Sequence, residues 1–101
     1  MKKTIEGKRV IFTISEGLTA NKIPQYNQNL EELLPEPGAY DECILNLALT
    51  NNIDSAGVTF VIGMYKKMKA IEKNFCVAGA NEDVQCLFKL MKLDKFFDMQ
   101  S

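Results

Sequence analysis

The stretch that decides the fold runs from a short apolar segment into a helix: Cys43-Ile44-Leu45-Asn46-Leu47-Ala48-Leu49, then Thr50-Asn51-Asn52, then Ile53-Asp54-Ser55-Ala56-Gly57. The apolar segment is too short for a helix of normal length, and its continuous hydrophobicity is typical of a strand covered on both faces. The polar residues after it predict a loop, and apolar residues then recur at helical period from 55 to about 73. The pattern therefore predicts a buried strand followed by an amphipathic helix.

Asp54 and Ser55 stand at the predicted start of that helix. Aspartate is a favourable N-cap, because its carboxylate accepts hydrogen bonds from amides two or three residues further on. Ser55 then occupies the first helical position, where no preceding turn covers it, and open α/β sheets tend to place ligands at such junctions. Capping alone also explains these residue types, so a purely structural role for the pair stays open at this point.

One strip of the predicted helix carries small or polar side chains. A helical wheel that begins at Ser55 places on this strip Thr59, Gly63, Lys66 and Ala70. The apolar side consists instead of Val58, Val61, Ile62, Tyr65 and Met68. Phe60 and Met64 lie beside the strip, and we expect them to be partly exposed apolar contacts of the kind that interfaces use.

We therefore predict a partner-binding surface made of Asp54, Ser55, Ala56, Gly57, Thr59, Phe60, Gly63, Lys66 and Lys67. Small side chains along the strip would let another protein approach the helix backbone closely. The alternative is that the strip packs against a neighbouring helix of the same chain.

Strand-like and helical segments alternate along the rest of the chain. The segments rich in β-branched, aromatic or apolar residues are 3–5, 9–14, 43–49 and 75–79. The segments with helical period run from 20 or 21 to 34, from 55 to about 73, and from 82 to 90 or 91, the last capped by Asn81. Residues 93–97 form a closing turn or short helix whose aromatic side chains cover the base of the core. This order predicts one α/β domain over residues 1–101, with a four- to five-stranded mixed sheet, right-handed crossovers and helices packed on one face.

Composition argues against several classes of function. Twelve Lys and Arg against 13 Asp and Glu give a net charge of -1, which supplies no long-range field for nucleic acid or an anionic membrane. No apolar run approaches the roughly 20 residues needed to span a bilayer, and the N-terminus lacks a signal-peptide core. We expect a cytoplasmic protein that binds no nucleic acid and does not insert into a membrane.

The sequence predicts neither a metal site nor an active site. There is no histidine, and Cys43, Cys76 and Cys86 lack a Cys-x-x-Cys spacing, so we expect free thiols in apolar surroundings. No Gly-rich phosphate loop is present, and Asp54 and Ser55 are sequence neighbours, an arrangement that caps a helix and forms no catalytic relay. We expect a non-enzymatic protein without a cofactor.

The segment Ile53-Asp54-Ser55-Ala56-Gly57-Val58 resembles the D-S-[ST/A]-G-[LV] box of the STAS domains of anti-sigma factor antagonists. Residues 75–81 are similar to the strand and loop that follow in that family. Residues 84–97 are similar to its closing signature, V-x-x-L-F-x-x-x-G-L-D-x-x-F. The chain departs from the family at Thr19, where many members carry the aspartate of G-x-L-D, and at Lys92, where the signature has glycine.

The resemblance implies an anti-sigma factor antagonist in which Ser55 is the phosphorylated serine. Unphosphorylated protein would sequester an anti-sigma factor, typically a serine kinase with a GHKL-type ATP site, and thereby regulate transcription. Phosphorylated protein would release that partner until a serine phosphatase resets the switch. Thr19 bears on the kinase partnership, because the family aspartate is missing there. The alternative is a STAS module that is never phosphorylated and serves as a scaffold, or as a small-ligand or lipid-handling component of a larger complex.

Overall fold

An antiparallel hairpin opens the fold in the computed structural model, which describes residues 1–95 and 98–100. Strand β1 (Lys2–Glu6) pairs with β2 (Arg9–Thr13), and the two strands meet at the pair Glu6↔Arg9. Only Gly7 and Lys8 remain for the turn, and Gly7 has a φ of 61°, a left-handed conformation that glycine adopts without steric cost. The strand-like segments predicted at 3–5 and 9–14 are thus both strands, and they pair with each other.

The hairpin is one edge of a five-stranded sheet with the order β1-β2-β3-β4-β5. All pairs after the first are parallel. The further strands are β3 (Glu42–Asn46), β4 (Asn74–Ala78) and β5 (Asp98–Gln100). The helices are α1 (Ile23–Leu33), α2 (Ser55–Ala70) and α3 (Glu82–Leu90). The mixed α/β sheet predicted from the sequence is confirmed, although no pattern in the sequence marked β5.

All three helices pack on the same face of the sheet. The strand residues that belong to the core alternate along each strand: Val10 and Phe12, Cys43 and Leu45, Phe75 and Val77. Residues from α1, α2 and α3 join the same cluster, among them Tyr26, Val61 and Phe88. Ile11, Ile44 and Cys76 point to the opposite face, since successive strand side chains alternate. The prediction of helices on one face is confirmed.

The cysteines agree with the expectation only in part. Cys43 and Cys76 are buried and all three thiols are free, but Cys86 on α3 is exposed, so the expected apolar surroundings are wrong for that residue. Burial raises the pKa of Cys43 to about 12, which keeps this thiol protonated at neutral pH.

Three predicted boundaries differ from those observed by more than one residue, each for a local reason. β3 ends at Asn46 because the Asn46 side-chain oxygen accepts the Ala48 amide at 3.0 Å and turns the chain out of the sheet. α2 ends at Ala70, and the residue after its C-cap, Glu72, has a φ of 59°. α1 begins at Ile23 instead of 20 or 21, because residues 20–22 form a turn in which the Thr19 carbonyl accepts two amides.

One departure from the family signature, Lys92, lies at the end of α3 in a conformation that favours glycine. Lys92, which replaces a glycine, has a φ of 59° just beyond the helix. A short 3₁₀ turn, Leu93–Lys95, follows it and buries Leu93 against the core. Phe96 and Phe97, predicted to cover the base of the core, lie outside the described residues.

Replacing Lys92 by glycine should stabilise the protein. The left-handed conformation costs a residue with a Cβ about 1–2 kcal/mol, and glycine avoids this cost. The greater conformational freedom of glycine in the unfolded chain reduces the resulting gain in stability. We expect the free energy of unfolding to rise by about 1 kcal/mol in urea titrations. The matched change Lys89→Gly, inside α3, should lower it by about 1 kcal/mol. Destabilisation by both changes would contradict this account of Lys92.

Candidate functional site

The Asp54 carboxylate connects two separate parts of the chain. Its Oδ1 accepts the Gly57 amide of α2 at 2.9 Å, which confirms Asp54 as the N-cap. Its Oδ2 accepts the Ala20 amide, from the loop that leads into α1, at 3.0 Å. These hydrogen bonds, that from Ala20 first, hold the pKa of Asp54 below its ordinary value. The carboxylate therefore both starts α2 and holds the loop between β2 and α1 beside it.

Backbone contacts hold the same loop against the segment that precedes α2. Leu18 and Ile53 form an isolated parallel bridge. The Leu18 amide donates to the Asn52 carbonyl at 2.9 Å, and the Leu18 carbonyl accepts the Asp54 amide at 3.3 Å. Gly57 lies against this loop: a Cβ at that position would collide with the Leu18 carbonyl oxygen. The start of α2 thus fits closely under the loop because residue 57 has no side chain.

Ser55 is the first residue of α2 and is exposed, as the sequence predicts. The strip that continues from it is exposed as well, at Thr59, Gly63, Lys66 and Ala70. The Thr59 hydroxyl donates to the Ser55 carbonyl at 3.0 Å, so Thr59 is bonded within the helix while the Ser55 side chain faces outward. The alternative in which this strip packs against a neighbouring helix is therefore wrong for the described residues.

Two residues of the predicted partner surface, Phe60 and Gly57, are buried, and so is Met64 beside it. Phe60 is only 6% exposed and Met64 3%, so the expectation of partly exposed apolar contacts at these positions is wrong. The cause is α1, which packs beside this side of α2 and brings the Tyr26 ring to 6.0 Å from the Phe60 ring. Gly57 is also buried, and its described contacts are structural. The remaining predicted residues, from Asp54 and Ser55 to Lys66 and Lys67, lie at or near the surface.

A groove that periodicity did not reveal runs between α1 and α2. We call it the α1–α2 groove; its volume is about 700 Å³, and it is lined by Ile23, Asn27, Leu30, Glu31, Ala56, Thr59, Phe60, Gly63, Met64 and Lys67. It shares Ala56, Thr59, Phe60, Gly63 and Lys67 with the predicted partner surface. The site therefore consists of an exposed strip with a groove alongside it.

Thr19, the second departure from the family pattern, lies in the loop held by Asp54. Its hydroxyl contacts the side-chain oxygen of Asn21 at 2.6 Å, and the next residue, Ala20, supplies the amide that Asp54 accepts. An aspartate at this position would bring a second carboxylate close to Asp54. Threonine adds no charge at this position.

The described residues include no group of three or more His, Cys, Asp or Glu arranged to hold a metal ion. Within the same residues, no helix combines the length and the apolar character needed to cross a membrane. What the arrangement offers chemically is an exposed hydroxyl beside a carboxylate, at the positive end of a helix dipole.

The chain is thus a small α/β domain that presents an exposed serine, Ser55, at the start of its second helix. The family model described as STAS domain matches residues 1–101. The chain belongs to the STAS domain family. No curated protein matches the chain in sequence.

Solved structures with a similar fold include the anti-sigma factor antagonist SpoIIAA and a candidate antagonist, TM1081. TM1081 of Thermotoga maritima, a candidate anti-sigma factor antagonist, has a TM-score of 0.89 at 18% identity, covering 99% of this chain and 85% of that one. The anti-sigma factor antagonist SpoIIAA, in its unphosphorylated form, has a TM-score of 0.69 at 17% identity, covering 88% and 81%. Phosphorylated SpoIIAA of Bacillus has a TM-score of 0.73 at 16% identity, covering 99% and 90%.

The fold is also found in a transport protein. A sulfate transporter family protein from Wolinella succinogenes has a TM-score of 0.78 at 10% identity, covering 97% of this chain and 80% of that one. The shared fold alone therefore leaves open which of these functions the chain has.

Asp54→Asn should make the stability of the protein depend differently on pH. The pKa of Asp54 is lowered in the folded state. The contribution of its carboxylate to the free energy of unfolding is therefore fully present above the ordinary pKa of aspartate, and it is lost as the pH falls through the folded-state pKa. We expect the wild type to be more stable than Asp54→Asn at neutral pH, with the difference shrinking on acidification. Thermal unfolding at a series of pH values measures this. Asp41→Asn, at an exposed aspartate outside the site, is the control; a pH-independent difference for Asp54→Asn would contradict the assignment.

The two glycines of α2 should respond in opposite ways to alanine. Gly57→Ala would push a methyl group into the Leu18 carbonyl and should lower the free energy of unfolding by at least about 2 kcal/mol. Gly63→Ala meets no atom within 4 Å and should raise it by about 1 kcal/mol through helix propensity. Denaturant titration of both variants compares them directly. A stable Gly57→Ala variant would show that the loop does not hold the helix as described.

Proposed function

We propose that this STAS domain is an anti-sigma factor antagonist whose binding surface is switched by phosphorylation of Ser55. The observation that carries the proposal is the exposed Ser55 side chain at the first position of α2, next to Asp54 and at one end of an exposed strip. The partner is an anti-sigma factor that is itself a serine kinase of GHKL type, with a serine phosphatase as the resetting enzyme. Binding sequesters that factor and so affects transcription.

Charge explains how one phosphate can release the partner. A phosphoserine adds a charge of about -1.5 to -2. At Ser55 that charge would stand beside the Asp54 carboxylate, on the surface that docks the partner. An acidic or desolvated partner group facing it would be repelled, and juxtaposed like charges cost several kcal/mol. A penalty of about 3 kcal/mol weakens binding more than a hundredfold.

The fold can accept that phosphate without rearranging. The first amides of a helix and its dipole favour an anion at the N-terminus, where Ser55 stands. The structures of SpoIIAA in its phosphorylated and unphosphorylated forms both resemble this chain, which supports a switch in surface charge with the fold retained. We propose that the modified protein keeps its core and loses only its affinity.

The partner surface that we propose contains fewer residues than the surface predicted from the sequence. Ser55, Thr59 and Gly63 supply its exposed centre, and Lys66 and Lys67 add positive charge towards the end of α2. Asp54 positions the surface and borders the modified residue. We propose no direct contact for Gly57, whose place is beneath the loop.

Ser55→Asp and Ser55→Ala should differ sharply in affinity for the anti-sigma kinase. We expect Ser55→Ala to bind like the wild type and Ser55→Asp to bind at least about a hundredfold more weakly, measured by isothermal titration calorimetry. Thr4→Asp, on the sheet face opposite the helices, makes a comparable change of charge away from α2 and should bind normally. Incubation with the kinase and ATP should add one phosphate to the wild type and none to Ser55→Ala. Equal affinities for the two Ser55 variants would refute the switch.

The transporter-like neighbour favours one second candidate, a STAS module that is part of a larger assembly and is never phosphorylated. The same kinase incubation separates the two functions. No mass gain at Ser55, together with co-purification of a membrane complex, would support the assembly module.

A further inference from the structure

The α1–α2 groove has a continuous apolar floor between two helices that run in the same direction. α1 connects the parallel strands β2 and β3, and α2 connects β3 and β4, so both helices run antiparallel to the strands. Leu30 from α1 and Phe60 and Met64 from α2 form the floor, and all three are buried. The floor is thus well packed, and the open space lies above it.

The walls of the groove carry opposite charges that are not used inside the domain. Glu31 lines the α1 side and Lys67 the α2 side, and neither takes part in an ion pair among the described residues. Glu31 also lies near the C-terminal end of α1, where the helix dipole disfavours an acidic side chain. An unpaired acidic group at this position costs stability, and a bound partner could offset that cost.

The shape of the groove favours a helix over an extended segment as the occupant. The amides and carbonyls of both walls are bonded within their own helices, so an extended chain would find no backbone partners there. A helix brings its own backbone bonds and can lay a ridge of side chains between two others. Gly63 adds room, because no atom lies within 4 Å of the place where its Cβ would be.

We infer that the α1–α2 groove binds an amphipathic helix of a partner protein. The apolar ridge of that helix lies along the groove against Ile23, which is partly exposed, above the buried floor of Leu30, Phe60 and Met64. A basic flank faces Glu31 and an acidic flank faces Lys67. The groove shares Thr59 and Gly63 with the strip that begins at Ser55, and Ala56 and Lys67 with the rest of the predicted partner surface. The inference rests on the proposed function in one respect: the helix belongs to the protein that docks on that strip.

Three synthetic amphipathic peptides test the groove without any kinase. All three peptides have the same leucine face. The acidic peptide has acidic residues on both flanks of that face, the basic peptide has basic residues on both flanks, and the mixed peptide has one acidic and one basic flank. The wild type should bind the mixed peptide up to about fivefold more tightly than the other two, the range of exposed charge pairs. In ¹⁵N NMR spectra, the amides that shift should be those of the groove, including Asn27, Thr59 and Gly63.

Charge reversal on each wall should change which peptide binds best. Glu31→Lys should shift the preference to the acidic peptide, and Lys67→Glu to the basic one. Glu32→Lys makes the same charge change on an exposed residue of α1 that does not line the groove, so it should leave the preference for the mixed peptide unchanged.

Three results would overturn the inference. They are no binding of any peptide, an order of affinities that does not follow these charges, and amide shifts centred away from the groove. Dimerisation of the chain that Lys67→Glu abolishes, without peptide binding, would assign the groove to a second copy and would also overturn it. Because the peptides involve no phosphorylation, failure here would leave the Ser55 switch intact, and failure of that switch would leave peptide binding intact.

Discussion

One side chain, the carboxylate of Asp54, determines how the site is assembled. Its two oxygens accept amides from α2 and from the loop before α1, segments more than 30 residues apart in the chain. Both bonds go to a charged acceptor, which makes them stronger than neutral hydrogen bonds. They fix where α2 begins, and therefore that Ser55 occupies the first helical position. The exposed strip and the α1–α2 groove both follow from that starting point.

The sequence predicted the parts of the fold that depend on local chemistry. Asp54 and Asn81 as N-caps, and the short apolar segments that form β3 and β4, act over a few positions, so their patterns can be read without tertiary information. β5 could not be found in this way, because Asp98–Gln100 is short and polar and is held by pairing with β4. The end of β3 depends on a single side-chain bond at Asn46, inside an apolar run that continues to Leu49.

The candidate site was predicted only in part, because the sequence shows local chemistry and does not show how the helices pack against each other. Ser55 and its strip are exposed as expected, but α2 carries apolar residues around much of its circumference, so its period does not decide which of them are covered. Phe60 and Met64 are buried because α1 packs beside them, a tertiary contact between segments distant in sequence. That same contact creates the groove, which pairs an acidic wall with a basic one. No pattern within one helix could have shown it.

In the function that we propose, surface charge changes on a fixed scaffold. Ser55, Asp54, Glu31 and Lys67 lie at or near the surface, whereas the residues that hold α1 and α2 in place are buried. A partner that recognises this surface would respond to one added phosphate without a change of fold, since a packed core resists gradual deformation. In the binding mode that we propose, the basic end of α2 and the acidic end of α1 would supply the specificity that the small side chains of the strip lack.

Amide hydrogen exchange at Ala20, measured by NMR in the wild type and in Asp54→Ala, tests the central claim most directly. Ala20 is exposed, and Asp54 is the acceptor of its amide, so the wild type should protect this amide. Loss of the carboxylate should speed its exchange by about tenfold, the worth of one such hydrogen bond, while amides of β3 stay protected. An unchanged exchange rate at Ala20 would mean that Asp54 does not hold the loop to the helix, and the account of the site would be contradicted.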